Sequence, residues 1–169
     1  MPSTETLPPA LLDDGPRFDF AFTVQLTLST PQIVKCRQLG HERAGVFATQ
    51  GSFEGPRIRG EVLGSSGGDY AAMRPDGVLD FDARYMLRAD DGTLIYLQSR
   101  GYRWLAPADA APGAAPGTAP GTAPEAAYMR VCTRFEVEAG PHDWLARHVF
   151  VGLGRRTATG NLIRYYCLM

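Results

Sequence analysis

The sequence predicts an all-β protein of about eight or nine short antiparallel strands, arranged as a barrel or a sandwich. Three observations carry that expectation. Phe18, Phe20, Phe22, Val24, Leu26 and Leu28 alternate with Asp19, Ala21, Thr23, Gln25 and Thr27, a period of two sustained too long for a helix. Turn signals recur at short spacing, among them Pro75-Asp76-Gly77, Asp90-Asp91-Gly92 and Thr159-Gly160-Asn161. No stretch shows a long helical pattern, which excludes the α/β classes.

Residues 1–16 are polar and proline-bearing and are expected to form a flexible arm, leaving residues 17–169 as one domain. The alternating stretch is its first strand, with the phenylalanines and leucines facing the core, and Pro31 ends it. Segments around Ile33 and Val46-Phe47 continue the sheet across a turn at Gly40. In GSFEGPRIRGEVL, residues 51–63, Phe53, Ile58, Gly60 and Val62 oppose Glu54, Arg57, Arg59 and Glu61, and the break in phase at Gly55-Pro56 reads as a bulge. A loop from Gly64 to Gly68 leads to a short strand over Asp69–Met73.

The central hairpin follows. A three-residue Asp90-Asp91-Gly92 loop, with Gly92 left-handed, places Ala89 opposite Thr93. Leu87 then faces Ile95, Tyr85 faces Leu97, Ala83 faces Ser99 and Phe81 faces Gly101. On the other face Arg84 meets Gln98 and Asp82 meets Arg100. A two-residue loop would mix apolar and charged positions on each face, so the longer loop is expected. The apolar face ends in small residues.

Residues 106–127, APADAAPGAAPGTAPGTAPEAA, hold five prolines and a Gly-Thr-Ala-Pro repeat. Such a composition neither holds a ladder nor buries a core, and a disordered insert within the single domain is expected. Tyr128–Val137 returns as a strand and Pro141–Arg147 forms one short helical turn. His148–Gly154 and Leu162–Met169 complete the sheet.

The net charge of -1 leaves no basic footprint for nucleic acid or an anionic membrane surface. Cys36, Cys132 and Cys167 lie far apart without C-x-x-C spacing, which points to a reducing, cytoplasmic setting. The first residues lack a basic, apolar leader pattern and no later stretch is apolar enough to span a bilayer, so neither secretion by that route nor membrane insertion is expected. His41, His142 and His148 show no ligand spacing, and neither metal nor cofactor is anticipated. G-x-S-x-G, P-loop and dinucleotide fingerprints are all missing, which sets aside the hydrolase, kinase and dehydrogenase readings.

Four motifs in order resemble the domain-of-unknown-function 3237 family: RPDG at Arg74–Gly77, FDARY at Phe81–Tyr85, DDG-x-LIY at Asp90–Tyr96, and WL-x-R-x-x-FVG-x-G at Trp144–Gly154. The resemblance runs from Phe18 to Met169 apart from the insert. It implies a single closed antiparallel β-barrel, similar in outline to allene oxide cyclase, with no assigned activity. Ala146 stands where the family usually has asparagine, and the insert replaces a short helical segment.

Asp82, between Arg84, Gln98 and Arg100, is the densest polar constellation. It reads either as a site that orients a carbonyl or carboxylate or as an ion-pair ladder on the outer wall. Asp82 and Tyr96 are the candidate proton-transfer residues, with Arg84, Tyr85, Arg100, Arg130 and Trp144 as candidate ligand contacts. The expected function is a small-molecule-binding barrel for a hydrophobic or aromatic ligand, acting as a cofactor-independent lyase, isomerase or cyclase on a hydrophobic carbonyl or phenolic substrate. The alternative is a non-catalytic binding or oligomerisation protein, including a homo-oligomer. Charges in a cavity would favour the first, charges on a convex wall the second.

Overall fold

A strand of 14 residues closes the structure on itself. In the computed structural model, which describes residues 15–105 and 127–169, the chain forms β1 (Phe18–Leu28), β2 (Gln32–Cys36), β3 (His41–Glu54), β4 (Arg59–Val62), β5 (Gly68–Met73), β6 (Leu79–Ala89), β7 (Leu94–Leu105), β8 (Ala127–Val137), β9 (Phe150–Arg156) and β10 (Gly160–Leu168). The second half of β3 pairs with β1 and β4, and its first half with β2 and β5. Running β1-β10-β9-β8-β7-β6 and returning through β4 and β5 to β3, the sheet is a closed antiparallel barrel. β4 and β5 occupy one position in tandem between β3 and β6, and β2 lies outside the ring on β3. Closure leaves the ring strands no free edge.

Antiparallel hairpins account for most of the ring, and the β6–β7 hairpin has the predicted register. Ala89 N–H donates to Thr93 O at 2.9 Å and Gly92 N–H to Ala89 O at 2.8 Å, with Gly92 at φ 90°. Leu87 faces Ile95, Tyr85 faces Leu97, Ala83 faces Ser99, Phe81 faces Gly101 and Asp82 faces Arg100.

Three expectations are corrected. Phe18 and Phe20 are exposed, because the β1–β10 register shifts between Phe20 and Phe22 and turns the start of β1 over. From Ala21 inward the strand is buried as expected, with Phe22 and Val24 fully enclosed. Residues 51–63 are not one bulged strand: Gly55 N–H donates to Ile58 O at 2.8 Å and the chain reverses, pairing Gly51 with Val62 and Phe53 with Gly60. Among the described residues two short 3-10 turns are present, Arg37–Leu39 as well as the expected one, Asp143–Arg147. The predicted arm falls almost wholly, and the insert apart from its last residue, outside the described residues; Ala127 is already the first residue of β8.

The barrel interior has two halves. Near the Asp90–Gly92 loop it is filled by aromatics: Phe22 packs at ring-centroid distances of 5.8 Å from Phe53, 5.6 Å from Phe135 and 5.3 Å from Tyr165, and Phe135 lies 5.0 Å from Phe150. These edge-on and tilted arrangements suit the ring quadrupoles as well as burying area. The Asp143–Arg147 turn covers this end with Trp144 and Leu145, and His142 Nε2 meets Asp91 Oδ2 at 3.1 Å, tying the cover to the β6–β7 loop. Toward the opposite end the inward positions become small, with Ala44, Ala48, Ala71, Ala83 and Ser99, and a space remains.

Candidate functional site

Strand alternation alone decides where the predicted constellation lies. Inward positions on β6 and β7 carry odd numbers, so Asp82, Arg84, Tyr96, Gln98 and Arg100 stand on the outer wall. Asp82 Oδ2 accepts from Arg84 and Arg100 at 3.1 Å each, and Oδ1 accepts from Arg84 Nε and Gln98 Nε2 at 3.2 Å each. The Arg84 contact, seconded by those of Arg100 and Gln98, holds the Asp82 carboxyl at about 2. A carboxylate so well satisfied is a weak proton acceptor at neutral pH. Tyr96 neighbours Arg84 on the same surface. Arg130 also points outward, its guanidinium 5.0 Å from the Tyr128 ring. With Arg100, Tyr102 and Tyr128 it lines an open outer groove of about 890 Å³. Trp144 sits at the covered end, between the Arg57 guanidinium at 4.4 Å and Phe150 at 5.7 Å.

Of the seven residues singled out from the sequence, Tyr85 alone lines the interior cavity. This cavity, about 350 Å³, is within the range of small-ligand sites. Its walls are apolar, from Leu28, Val46, Ala48, Ala71, Phe81 and Ile163 among others, and its polar groups are few: Asp69, Tyr85, Ser99, Arg103, Arg156 and Asn161. Ile33, Met73 and Arg156 are exposed as well as lining it, so it opens to solvent at the end away from the Asp90–Gly92 loop.

Asp69 faces the cavity by alternation, in phase with Ala71 and Met73 and opposite the inward Ala83, and it stands beside a gap in the ladder. The β5–β6 ladder pairs Asp69 with Ala83 and Ala72 with Asp80, skipping the residues between, and Asp69 Oδ1 fills the gap by accepting the Asp82 N–H at 3.0 Å. Among the described residues no basic side chain ion-pairs with Asp69. Desolvation raises its carboxyl to about 6, and the nearby Asp82 and Asp80 charges add to the rise against the lowering effect of the Asp82 amide. The group is poised to exchange a proton near neutrality.

Beside it lie hydroxyls. Tyr85 and Tyr165 are buried, and their phenol oxygens neighbour one another, with the Ser99 and Thr133 hydroxyls beside Tyr165, outside full hydrogen-bond geometry. Burial pushes both phenols above the usual range, and for Tyr85 the neighbouring Tyr165 and the Asp69 charge push further. Ser99 and Thr133 share a buried 2.5 Å hydrogen bond nearby. A carboxyl with Asp69's proton affinity beside an O–H donor in an apolar chamber can abstract a proton and stabilise the resulting oxyanion.

The family profile described as protein of unknown function (DUF3237) matches residues 16–168. The chain belongs to this family. A UPF0311 protein of Clostridium acetobutylicum is 28% identical over 149 residues, covering 88% of this chain and 92% of that one. A solved β-barrel-like protein from Acinetobacter baumannii AYE superposes with a TM-score of 0.78 at 24% identity, over 98% of this chain and 99% of its own. A crystal structure described as an enzyme from Penicillium herquei matches with a TM-score of 0.68 at 21% identity, over 91% and 95% of the two chains. These likenesses place this DUF3237 chain among β-barrels of one fold.

Within the DUF3237 barrel, Asp69, Ser99, Arg103, Thr133 and Tyr165 received no site role from sequence reasoning. A signal existed for three of them, Ser99, Arg103 and Asp69. Continuing the inward phase of β7 from Ile95 through Leu97, Ser99 and Gly101 arrives at Arg103, a guanidinium on the apolar face. Asp69 had the same signal on β5, where it shares the period-two phase of Ala71 and Met73. Among the described residues no three His, Cys, Asp or Glu side chains gather closely enough to hold a metal ion.

Proposed function

We propose that the interior cavity binds an apolar small molecule bearing a carbonyl or phenol and moves a proton on it, with Asp69 as the base and Tyr85 as hydrogen-bond donor. The observation that carries this is the Asp69 carboxyl, free of any basic partner among the described residues, facing an apolar chamber that the Tyr85 phenol also lines. In the step, the Asp69 carboxylate takes a proton from the carbon next to the carbonyl, and the electron pair moves onto oxygen as an enolate. Tyr85 O–H donates to that oxygen, and Asp69 returns its proton at the same or a conjugated carbon. The balance closes without oxidant or cofactor, as an isomerase step requires.

This reading moves the base from Asp82 to Asp69 and the phenol from Tyr96 to Tyr85. Proton exchange in heavy water tests it. Aryl ketones and cyclic enones incubated with the protein should gain deuterium next to the carbonyl, seen by NMR. Asp69→Asn should abolish the acceleration and Tyr85→Phe reduce it, while Asp82→Asn, which removes only a neighbouring charge, keeps most of it. Acceleration that survives Asp69→Asn would overturn the assignment.

The outer-wall position of Asp82, Arg84 and Arg100 favours a second reading, an outer surface that pairs with another copy, which also draws on the exposed Tyr70, Tyr102, Tyr128 and Leu153 around the outer groove. Sedimentation of the wild type against Tyr102→Glu distinguishes a dimer through this face from a monomer.

A further inference from the structure

We propose that the molecule accepted by the interior cavity carries an anionic group, a carboxylate or its equivalent, bound at the open end by Arg103 with Arg156 at the rim. The inference rests on reading the cavity as the reaction site, and it names the class of substrate that site takes.

Both arginines line the chamber. Arg103 is half-buried, and its Nε is enclosed without a hydrogen-bond partner. An enclosed guanidinium N–H with no acceptor is an unfavourable arrangement that a bound anion would relieve. Neither Arg103 nor Arg156 belongs to any ion pair among the described residues, and of the arginines outside ion pairs these two line the chamber. Arg156 is steadied instead by a neutral acceptor, donating from Nη1 to Asn161 Oδ1 at 3.3 Å. Asn161 lines the same chamber. A guanidinium lining an apolar space offers the planar fork of N–H donors that suits a carboxylate.

The strand supplies a spacing. Ser99 and Arg103 are inward residues on β7, and Ser99 sits at the level of Asp69 through the shared pairing of both with Ala83. Four residues of antiparallel strand span ~13 Å, so the anion lies toward the mouth and the reacting carbon deeper, separated by an apolar stretch of the ligand. The carboxylate at the reacting end belongs to the protein. A ligand anion at that depth would be repelled by it, so the charges of site and ligand fix one orientation.

The test compares acid and ester. Phenylbutanoate and phenylhexanoate, with their methyl esters, are titrated into the full chain by NMR or calorimetry. At least one acid should bind about tenfold or more tightly than its ester, a preference lost in Arg103→Gln, partly kept in Arg103→Lys and weakened in Arg156→Gln. Asp69→Asn should keep the preference, which separates this inference from the proton-transfer reading: the acid preference stands or falls whatever the deuterium exchange shows. Equal binding of acid and ester, no binding of either, or a preference untouched by Arg103→Gln would overturn it.

Discussion

The side-chain carboxylate of Asp69 accepts the main-chain N–H of Asp82 at 3.0 Å, and the two residues' carboxyl groups end on opposite sides of the barrel wall. One amide thus links an outer carboxylate held at about 2 by arginines to an inner one raised to about 6 by desolvation. The same residue type ionises in two ranges across the thickness of one sheet.

The two groups therefore act oppositely on stability. Asp69 has a higher pKa folded than its ordinary 3.8, so its contribution is fully present below about pH 4 and is lost as pH rises through about 6. In Asp69→Asn this loss disappears, and the variant should gain on the order of 1–3 kcal/mol over the wild type at pH 7 but little at pH 4. Urea denaturation at the two pH values measures the difference. Asp82 contributes stability above its ordinary pKa that is lost as pH falls through about 2, and its exposure limits that contribution.

Asp82 and Arg100 are directly opposed, yet their side chains are 30% and 68% exposed. A double-mutant cycle with Asp82→Asn and Arg100→Gln should return a coupling below about 1 kcal/mol. A coupling of several kcal/mol would show that the pair is shielded from water, against the outer-wall placement.

Phe22 is fully buried among Phe53, Phe135 and Tyr165. Phe22→Asp places a charge where the desolvation cost is several kcal/mol, a large share of a single domain's stability. Far-ultraviolet circular dichroism and a thermal melt should show loss of the cooperative transition.

Gly101 brings β7 against β8. A Cβ there would overlap the Arg130 carbonyl oxygen and stand 2.6 Å from the Val131 Cα, so only movement of the backbone could admit it. Gly101→Ala should cost roughly 1–3 kcal/mol, read as a lower denaturation midpoint with an unchanged slope. Retention of the wild-type midpoint would mean that the strands separate there at little cost.

The legible parts of the molecule are those where local rules act alone. Alternation and the left-handed Gly92 specify the β6–β7 register, and the small residues at one end of that hairpin's apolar face become the cavity. The reversal at Gly55–Ile58 was hidden because a bulge and a tight turn break the alternation in the same way, and only the pairing of Phe53 with Gly60 tells them apart. Phe18 and Phe20 misled because the shift that exposes them is set by β10, far along the chain. The site was less legible than the fold for a related reason. Charge density points to Asp82, but that density is what a solvated wall tolerates; the chamber holds its acid singly, on the short strand β5, and a lone carboxyl on an inward phase stands out only once the space it faces is seen.

The last rung of the β7–β8 ladder pairs Leu105 with Ala127, and one rung in, Trp104 and Tyr128 stack at 5.2 Å. The barrel itself thus clasps the chain where the proline-rich stretch departs and where it returns. Closure entropy rises only as the logarithm of loop length, by ~0.6 kcal/mol per doubling, so the clasp makes the fold nearly indifferent to how much polypeptide passes between those points. The position is a natural splice port: a folded reporter whose own termini lie close together can be grafted between Leu105 and Ala127 and carried by the barrel.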